Sequence, residues 1–529
     1  MNWIKSINII GFKKFKNFHI DLNKKINILV GENEAGKSTI LEAIDIVINQ
    51  RMKSADKSFI KEWFNVTNLE AFYQKPSLET LPEIILEVEF ELDGTGSNDD
   101  YFYGINYGKR QDQPEKFGIR FHCSFDEELG LHALQSIESG ELPLEYYNLD
   151  WKTFGGNKYQ AYSKSKPLSL IAIDTSKTDS NSSFNYYNKT LFDHKYDEDT
   201  KIEAKNKFRN YIEKAVNELN LPGIDDKREF GINPKKVLLE SVLSVFEDSI
   251  PLENRGSGME NLIKTQIALD RRNNIQVVLL EEPENHLDFP TLKSMLAEIQ
   301  NQQNESQLII TTHNSLISTS LDLRNILWIA DNQVSSLSGV DEQTAMFFKK
   351  ATNNAFLQFL LSTRVILVEG ATEYLMIPYF YKQITGRSVE QDKISIISAE
   401  GISYNRYLSV AEHLDKKVAV ITDNDGIDKR IDNSNSFNKQ NIKQHIFMGA
   451  TTDDWTWEVA LLNCNDYELM KQLAQPKPGA KYLVHKQQFD PVLGKMLKNK
   501  VQFAYDVVTR GTDLNCPEYV KEAIEWIRK

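Results

Sequence analysis

The stretch Ile26-Asn27-Ile28-Leu29-Val30-Gly31-Glu32-Asn33-Glu34-Ala35-Gly36-Lys37-Ser38-Thr39 runs an apolar strand into a glycine loop and then into a helical segment, Ser38–Ile48. Strand, Gly-x-x-x-x-Gly-Lys-Ser and helix, in that order, separate a phosphate-binding Walker A loop from a chance match. The glycines let backbone N–H groups wrap a β-phosphate, Lys37 reaches the β- and γ-phosphates, and Ser38 offers its hydroxyl to magnesium at the helix N-terminus. Asn33, Gly36, Lys37, Ser38 and Thr39 are therefore the expected nucleotide contacts, with ATP and Mg2+ as cofactors.

The loop requires a second half that delivers carboxylates. Val277-Val278-Leu279-Leu280 is an apolar run ending in Glu281-Glu282, the form of a buried parallel strand with acids at its C-terminal edge. One glutamate would hold magnesium through water and the other would polarise the attacking water. Leu308–Ile310 is the next expected strand, and Thr311-Thr312-His313 puts a histidine at its end, read as a γ-phosphate sensor. Upstream, Ile7–Ile10 and Phe18–Leu22 read as two short strands with a turn at Gly11, and Ile84–Leu92 as another strand. Pro167–Ile173 is a further core strand, followed by the polar tract Asp174–Asn188.

A different acid set lies downstream. Arg364–Val368 is an apolar strand leading into Glu369-Gly370-Ala371-Thr372-Glu373; the glycine permits a turn into a helix, and Glu373 lies one helical turn from Glu369. Ile394–Ile397 and Val418–Ile421 are two more strands, the second ending in Thr422-Asp423-Asn424-Asp425-Gly426. If that segment stays extended, Asp423 and Asp425 share a face. Hard oxygen donors with no cysteine or histidine beside them suit Mg2+, Mn2+ or Ca2+.

The 529 residues are enough for two or three domains with sizeable cores. At 41% hydrophobic and 26% charged, the composition is that of a soluble globular protein. No apolar run approaches the roughly 20 residues of a membrane helix, and Met1-Asn2-Trp3-Ile4-Lys5 opens no signal peptide, so a cytoplasmic address is expected. Cys123, Cys464 and Cys516 are scattered and far from histidine at ligand spacing, which argues for reduced thiols and against zinc. A net charge of −13 excludes a generally basic coat and leaves nucleic-acid binding to a local track. Lys13/Lys14/Lys16 and Lys495/Lys498/Lys500 are the basic clusters, and each taken alone is most simply a solvated face. Residues 101–165 are rich in Tyr, Phe and Gly with no legible chemistry. Asp197–Leu219 has helical periodicity and dense charge, equally suited to a solvated helix and to a dimerisation arm.

The first acid set resembles the ABC-type ATPases of the SMC/RecF-like class: Glu281-Glu282-Pro283-Glu284-Asn285-His286-Leu287-Asp288 looks like their Walker B and D-loop, His313 like their switch histidine, and Arg255-Gly256-Ser257-Gly258 like a shortened signature motif. In that class the signature closes the partner's nucleotide site, so the resemblance implies a homodimer or higher oligomer with Ser257 and Gly258 touching nucleotide. The chain departs from the class in starting Walker B with glutamate and in offering no Q-loop glutamine that can be placed. The second set resembles the TOPRIM domain, and an ABC ATPase followed by TOPRIM is the arrangement of the OLD family nucleases. The same resemblance makes Glu458, in Asp454-Trp455-Thr456-Trp457-Glu458, a candidate ligand and Lys500 a basic residue near the scissile phosphate.

The expected fold is thus α/β, an N-terminal ABC/SMC-like P-loop ATPase with a helical insertion and a C-terminal TOPRIM domain. The expected divisions are 1–190 and 251–345 for the ATPase halves, 191–250 for the insertion, 346–361 for a linker helix and 362–529 for TOPRIM with a helical extension. The resemblance implies a DNA endonuclease, with antiphage defence as its setting and a protein or nucleic-acid partner as its control. Two metals would activate water and stabilise the leaving 3′ oxygen. Glu369, Asp423 and Asp425 would bridge or flank them, Glu373 and Glu458 would complete their shells, and Lys500 would neutralise the phosphorane. A RecF-type DNA clamp with a non-catalytic metal site is the alternative, and a metal-dependent nicking assay separates the two.

Overall fold

The computed structural model describes residues 2–529 apart from 52–55, 95–98, 107–113, 127, 129, 162–165, 176–186, 190, 194, 219–223, 225–227, 229–232, 234–236, 271–274, 303–305, 351–354, 400–403, 415, 478–489 and 512. Two compact units emerge: residues 1–321 with 325–334, and residues 322–324 with 335–529. The helices Glu342–Lys350 and Ala355–Leu361, where a linker helix was expected, fall in the second unit. Among the described residues no helix is long and apolar enough to cross a membrane.

The first unit joins an antiparallel and a parallel sheet. In the antiparallel one, Phe15–Asp21, Trp3–Phe12, Ile84–Glu91 and Lys116–Phe125 are neighbours in that order, and Tyr147–Thr153 also pairs with Lys116–Phe125. Alternation decides its faces: Ile84, Leu86, Val88 and Phe90 are buried along one strand while Glu91 is exposed. The aromatic-rich segment 101–165 supplies core here, with Phe102, Phe121, Tyr147, Trp151 and Tyr159 all buried.

One expected turn is displaced. The chain stays in the strand through Gly11 to Phe12, and the reversal falls at Lys13-Lys14. Gly11 has φ +68°, and a Cβ there would sit 2.0 Å from the Glu83 carbonyl oxygen. The glycine is needed for close backbone approach inside the sheet rather than for the turn itself.

The parallel sheet contains, in spatial order, Ile326–Ala330, Ile26–Gly31, Gln307–Thr311, Val277–Glu281 and Leu170–Asp174. Its strands are mostly apolar because both faces are covered; Val277, Val278, Leu279 and Leu280 are all buried, and the polar Asn27 and Gln307 are buried with hydrogen-bond partners. The Walker helix spans Lys37–Asn49 and buries Ile40, Leu41, Ile44, Val47 and Ile48. All these strands run the same way, so the loops after Gly31, Thr311 and Glu281 open at one edge. The insertion helix is Glu198–Glu218, with Leu219 outside the described residues; Ile202 and Tyr211 are exposed on it.

Among its described residues the second unit carries a four-stranded parallel sheet in the order Ile394–Ser398, Arg364–Val368, Lys417–Ile421, Gln444–Phe447. Val368 is level with Ile421, so Glu369 and Thr422 leave adjacent strands at the same height. Helix Glu518–Arg528 is amphipathic, burying Tyr519, Val520, Ala523, Ile524 and Ile527. Helix Ala371–Thr385 buries Met376, Ile377, Phe380 and Tyr381 in the same core.

Candidate functional site

The Walker loop lines an open cleft of about 820 Å3 that also contains Lys13, Lys14, Glu282 and His313. Asn33, Gly36, Lys37, Ser38 and Thr39 all face it. Gly36 adopts φ +97°, and a Cβ there would lie 2.3 Å from the Phe15 ring, so both conformation and packing demand glycine. Lys37 is buried and donates to the carbonyls of Gly31 and Glu32, each at 3.0 Å. Burial lowers its pKa, with Glu282, Glu281 and Glu284 acting in the opposite direction. The ammonium is thus held in the loop by backbone oxygens that a phosphate can replace.

Glu282 has a left-handed backbone, φ +45°, which turns it away from the strand direction toward His313, 3.6 Å from its Nε2. Asn285 donates to its other oxygen at 3.0 Å. Burial and then Lys37 push the His313 pKa down against the pull of Glu282, which favours a neutral imidazole. Glu281 instead lines a neighbouring cavity with Asp174, while Glu282 lines the Walker cleft with Lys37 and His313; Ser38 borders both. Ser257 and Gly258 do not line the Walker cleft; Ser257 begins the helix Ser257–Leu269, and a Cβ on Gly258 would be 2.2 Å from the His286 carbonyl oxygen.

Three features in and around this cleft escaped sequence reading. Lys13 and Lys14, read there as a solvated face, are carried to the cleft by the hairpin reversal. Glu284 accepts from the Thr312 hydroxyl at 2.6 Å and from the His313 N–H at 2.9 Å, fixing the histidine loop, and burial raises its pKa. Asp174 ends its strand level with Glu281. Only pairing register could have exposed the last.

In the second unit the strand ends bring Glu369 and Asp423 together. Thr422 donates its hydroxyl to Glu369 at 3.1 Å, and the Asp423 N–H points at the same oxygen at 3.4 Å. Glu373 is buried in the first turn of its helix and accepts from the Gly370 N–H at 3.2 Å. Asp423 Oδ1 accepts from the Trp457 N–H at 2.8 Å, which places it beside Glu458 at the start of the helix Trp457–Asn463. Glu458 is buried, accepts from the Thr456 hydroxyl at 3.0 Å, and pairs with Lys500 at 3.0 Å. Lys495 and Lys498 lie in the last turn of Pro491–Lys498, and Lys500 opens Lys500–Arg510.

Burial and the charges of Glu369, Glu373 and Glu458 push Asp423 up to about 8, with Lys500 opposing. Glu373 is raised too, chiefly by burial and then by Glu458 and Glu369. Burial works against Lys500 keeping its proton, but Glu458, Asp423 and Glu373 raise its pKa overall. A cation would relieve this repulsion, and hard oxygen donors are the right type for Mg2+ or Mn2+. Among the described residues, no three histidine, cysteine or carboxylate side chains already form a closed metal cage. Asp423, Glu369, Glu373 and Glu458 would have to draw inward around an ion.

Asp425 departs from the expected geometry. The chain is no longer extended after Asp423: Asp425 has φ +53°, its N–H donates to the Trp455 carbonyl at 3.0 Å, and its carboxylate pairs with Arg430. Alternation along a strand therefore does not place it beside Asp423. The cause is Asn424, which is fully buried. Its amide donates to the carbonyls of Gly449 and Thr451 at 3.0 and 2.8 Å, while its oxygen accepts from the Gly426 N–H at 2.8 Å. This side-chain turn bolts the acidic loop to the segment carrying Glu458 and rotates Asp425 outward.

The raised acid fixes the sign of a pH effect. A carboxyl whose folded pKa exceeds its unfolded one contributes stability that is present below the ordinary carboxylate range and lost as pH rises toward about 8. In EDTA, melting of the wild type should fall across that window, and Asp423→Asn should flatten the fall. Identical profiles in differential scanning fluorimetry would contradict the charge cluster.

Two family descriptions match this chain: "AAA domain, putative AbiEii toxin, Type IV TA system" over residues 26–319, and "Overcoming lysogenization defect protein-like, TOPRIM domain" over residues 360–425. Among curated proteins it is similar to "Endonuclease GajA" of Bacillus cereus (strain HuB5-5), 23% identical, covering 80% of this chain and 76% of that one. It is also similar to "Old nuclease" of Escherichia phage P2, 22% identical over 75% of this chain and 73% of that one. Among solved structures, the C-terminal region of the Xanthomonas campestris pv. campestris OLD protein aligns at 20% identity with a TM-score of 0.25, over 32% of this chain and 92% of that one.

Proposed function

We propose, from the premise that this chain belongs to the AAA-domain family and is of the OLD type, an ATPase with a TOPRIM domain, that it is a nucleotide-regulated, divalent-metal-dependent DNA endonuclease. The observation that carries this reading is the carboxylate group around half-buried Asp423, where burial first and then the charges of Glu369, Glu373 and Glu458 lift that acid to about 8. A structural salt-bridge cluster would balance its charges; this one leaves four acids facing a single lysine, as a cation-binding catalytic centre requires.

When bound, divalent cations would supply Lewis-acid polarisation of the scissile phosphate and lower the pKa of the attacking water. The chain's own residues do the rest. Glu369 and Asp423 follow the ends of adjacent strands and Glu373 and Glu458 lie at helix starts, so the donors are brought to one region and have only to draw inward around an ion. Lys500 stands beside Glu458 to offset charge on the phosphoryl oxygens as the bond to the 3′ oxygen breaks. Asp425 joins the ligand set from outside this carboxylate group. In the first unit, Lys37 and the loop N–H groups would hold the ATP phosphates. Ser38 and Glu281 would serve magnesium, Glu282 the water, and His313 the γ-phosphate; Ser257 and Gly258 would reach nucleotide across a homodimer.

The names of the two curated relatives support the reaction class, and antiphage defence is the setting we infer from that likeness. Supercoiled plasmid is expected to be nicked in Mg2+ or Mn2+ and to stay intact in EDTA. Intact plasmid under every divalent cation, with and without ATP, would leave the RecF-type clamp as the better reading.

A further inference from the structure

Among the described residues, the site just proposed contains two cations in resting ion pairs. Lys500 is paired with the buried Glu458, and Arg430 with the half-exposed Asp425. Both partner acids are among the proposed metal ligands. Arg430 lies in the first turn of the helix Asp428–Gln440 and also reaches the Asp423 carbonyl oxygen at 3.3 Å. Its side chain is 48% exposed, so it is available to a macromolecular anion as Lys37, deep in its loop, is not. The contact with the Asp423 backbone puts the guanidinium on the rim of the acid group itself.

We infer that Arg430 is a DNA-phosphate-binding residue that is withheld by Asp425 in the metal-free protein and released when a divalent cation takes Asp425. The inference rests on the nuclease reading of this site. Its physical basis is competition for one carboxylate. A half-exposed ion pair is weak and easily exchanged. A divalent cation binds a carboxylate more strongly than one guanidinium does, and the freed guanidinium presents a planar fork that matches two phosphate oxygens. The Lys500–Glu458 pair is different: Glu458 is only 2% exposed, and a buried acid parts from its cation at greater cost. Arg430 is therefore the cation that responds first, and metal and DNA favour each other's binding through it. The acid group would otherwise repel a DNA backbone, so withholding the arginine keeps the empty site closed to DNA.

The test measures duplex affinity by fluorescence anisotropy, in EDTA and in Ca2+ at matched ionic strength, for wild type, Arg430→Gln and Arg430→Lys. Wild type should bind more tightly in Ca2+. Arg430→Gln should match wild type in EDTA, but in Ca2+ it should bind roughly 10-fold more weakly, with its log–log salt slope smaller by about 0.9, one phosphate contact. Arg430→Lys should restore the slope and only part of the affinity, since the fork is lost. Equal weakening of Arg430→Gln in EDTA and in Ca2+ would make it an unconditional contact, and no weakening in either would remove it from the DNA path; both overturn the inference. Plasmid nicking by wild type, run in parallel, separates these failures from failure of the nuclease reading, which an absence of metal-dependent nicking would sink together with this one.

Discussion

Asp423→Asn is expected to lower metal-dependent plasmid nicking by on the order of 10²–10³-fold, the usual size of removing one aimed electrostatic contact from a transition state. The substitution keeps the side-chain shape, and an amide oxygen can still accept from the Trp457 N–H that holds Asp423. What it removes is the charge at the centre of the acid group, where Glu369, Glu373 and Glu458 all act on it. The fold should survive, and in EDTA it should be more stable than wild type only as pH rises toward and past about 8, where Asp423 ionises and becomes a source of repulsion. The gain in melting temperature on adding Mn2+ should shrink at the same time; full occupancy at 100 times Kd is worth about 2.7 kcal/mol to a protein that binds only when folded. Wild-type nicking by a folded Asp423→Asn protein would exclude this centre as the site of chemistry.

Lys37→Ala should weaken ATP binding by about 10- to 100-fold, since a hydrogen bond to a charged group contributes roughly 1.5–3 kcal/mol. The lysine's resting hydrogen-bond partners are two backbone carbonyls at 3.0 Å, so its replacement breaks no side-chain hydrogen bond, and the loop should keep its form. The acids of the second unit are untouched. Cleavage should therefore lose its response to ATP and change in rate without vanishing. Isothermal titration calorimetry giving equal ATP affinity for mutant and wild type would contradict the role given to Lys37.

Reading one chain locates strands more surely than it locates side chains. Val277–Leu280 and Arg364–Val368 were legible because a strand buried on both faces must be apolar throughout, and the Walker loop because only glycine tolerates Gly36 at φ +97° against the Phe15 ring. The two acid sets were visible as strand-end carboxylates, and their order along the chain was enough to suggest an ATPase followed by TOPRIM. The turn at Gly11 was misplaced because glycine's two uses, reversing a chain and admitting a close neighbour, look alike in a sequence; the Glu83 carbonyl that decides between them is distant in the chain.

Local spacing is a property of the chain, and it specified the α/β class, the phosphate loop and the acid residue types. Which acids share charge is a property of packing. Asp423 and Asp425 are two positions apart, yet one is drawn in among Glu369, Glu373 and Glu458 and the other is paired outward with Arg430. The agent is Asn424, whose hydrogen bonds run to carbonyls 25 and 27 positions away. The same packing brings Lys500 to Glu458 across 42 positions and Lys13 and Lys14 to the Walker cleft. Electrostatic energy falls with distance in space rather than along the chain, so these charge pairings could be settled only by the folded molecule.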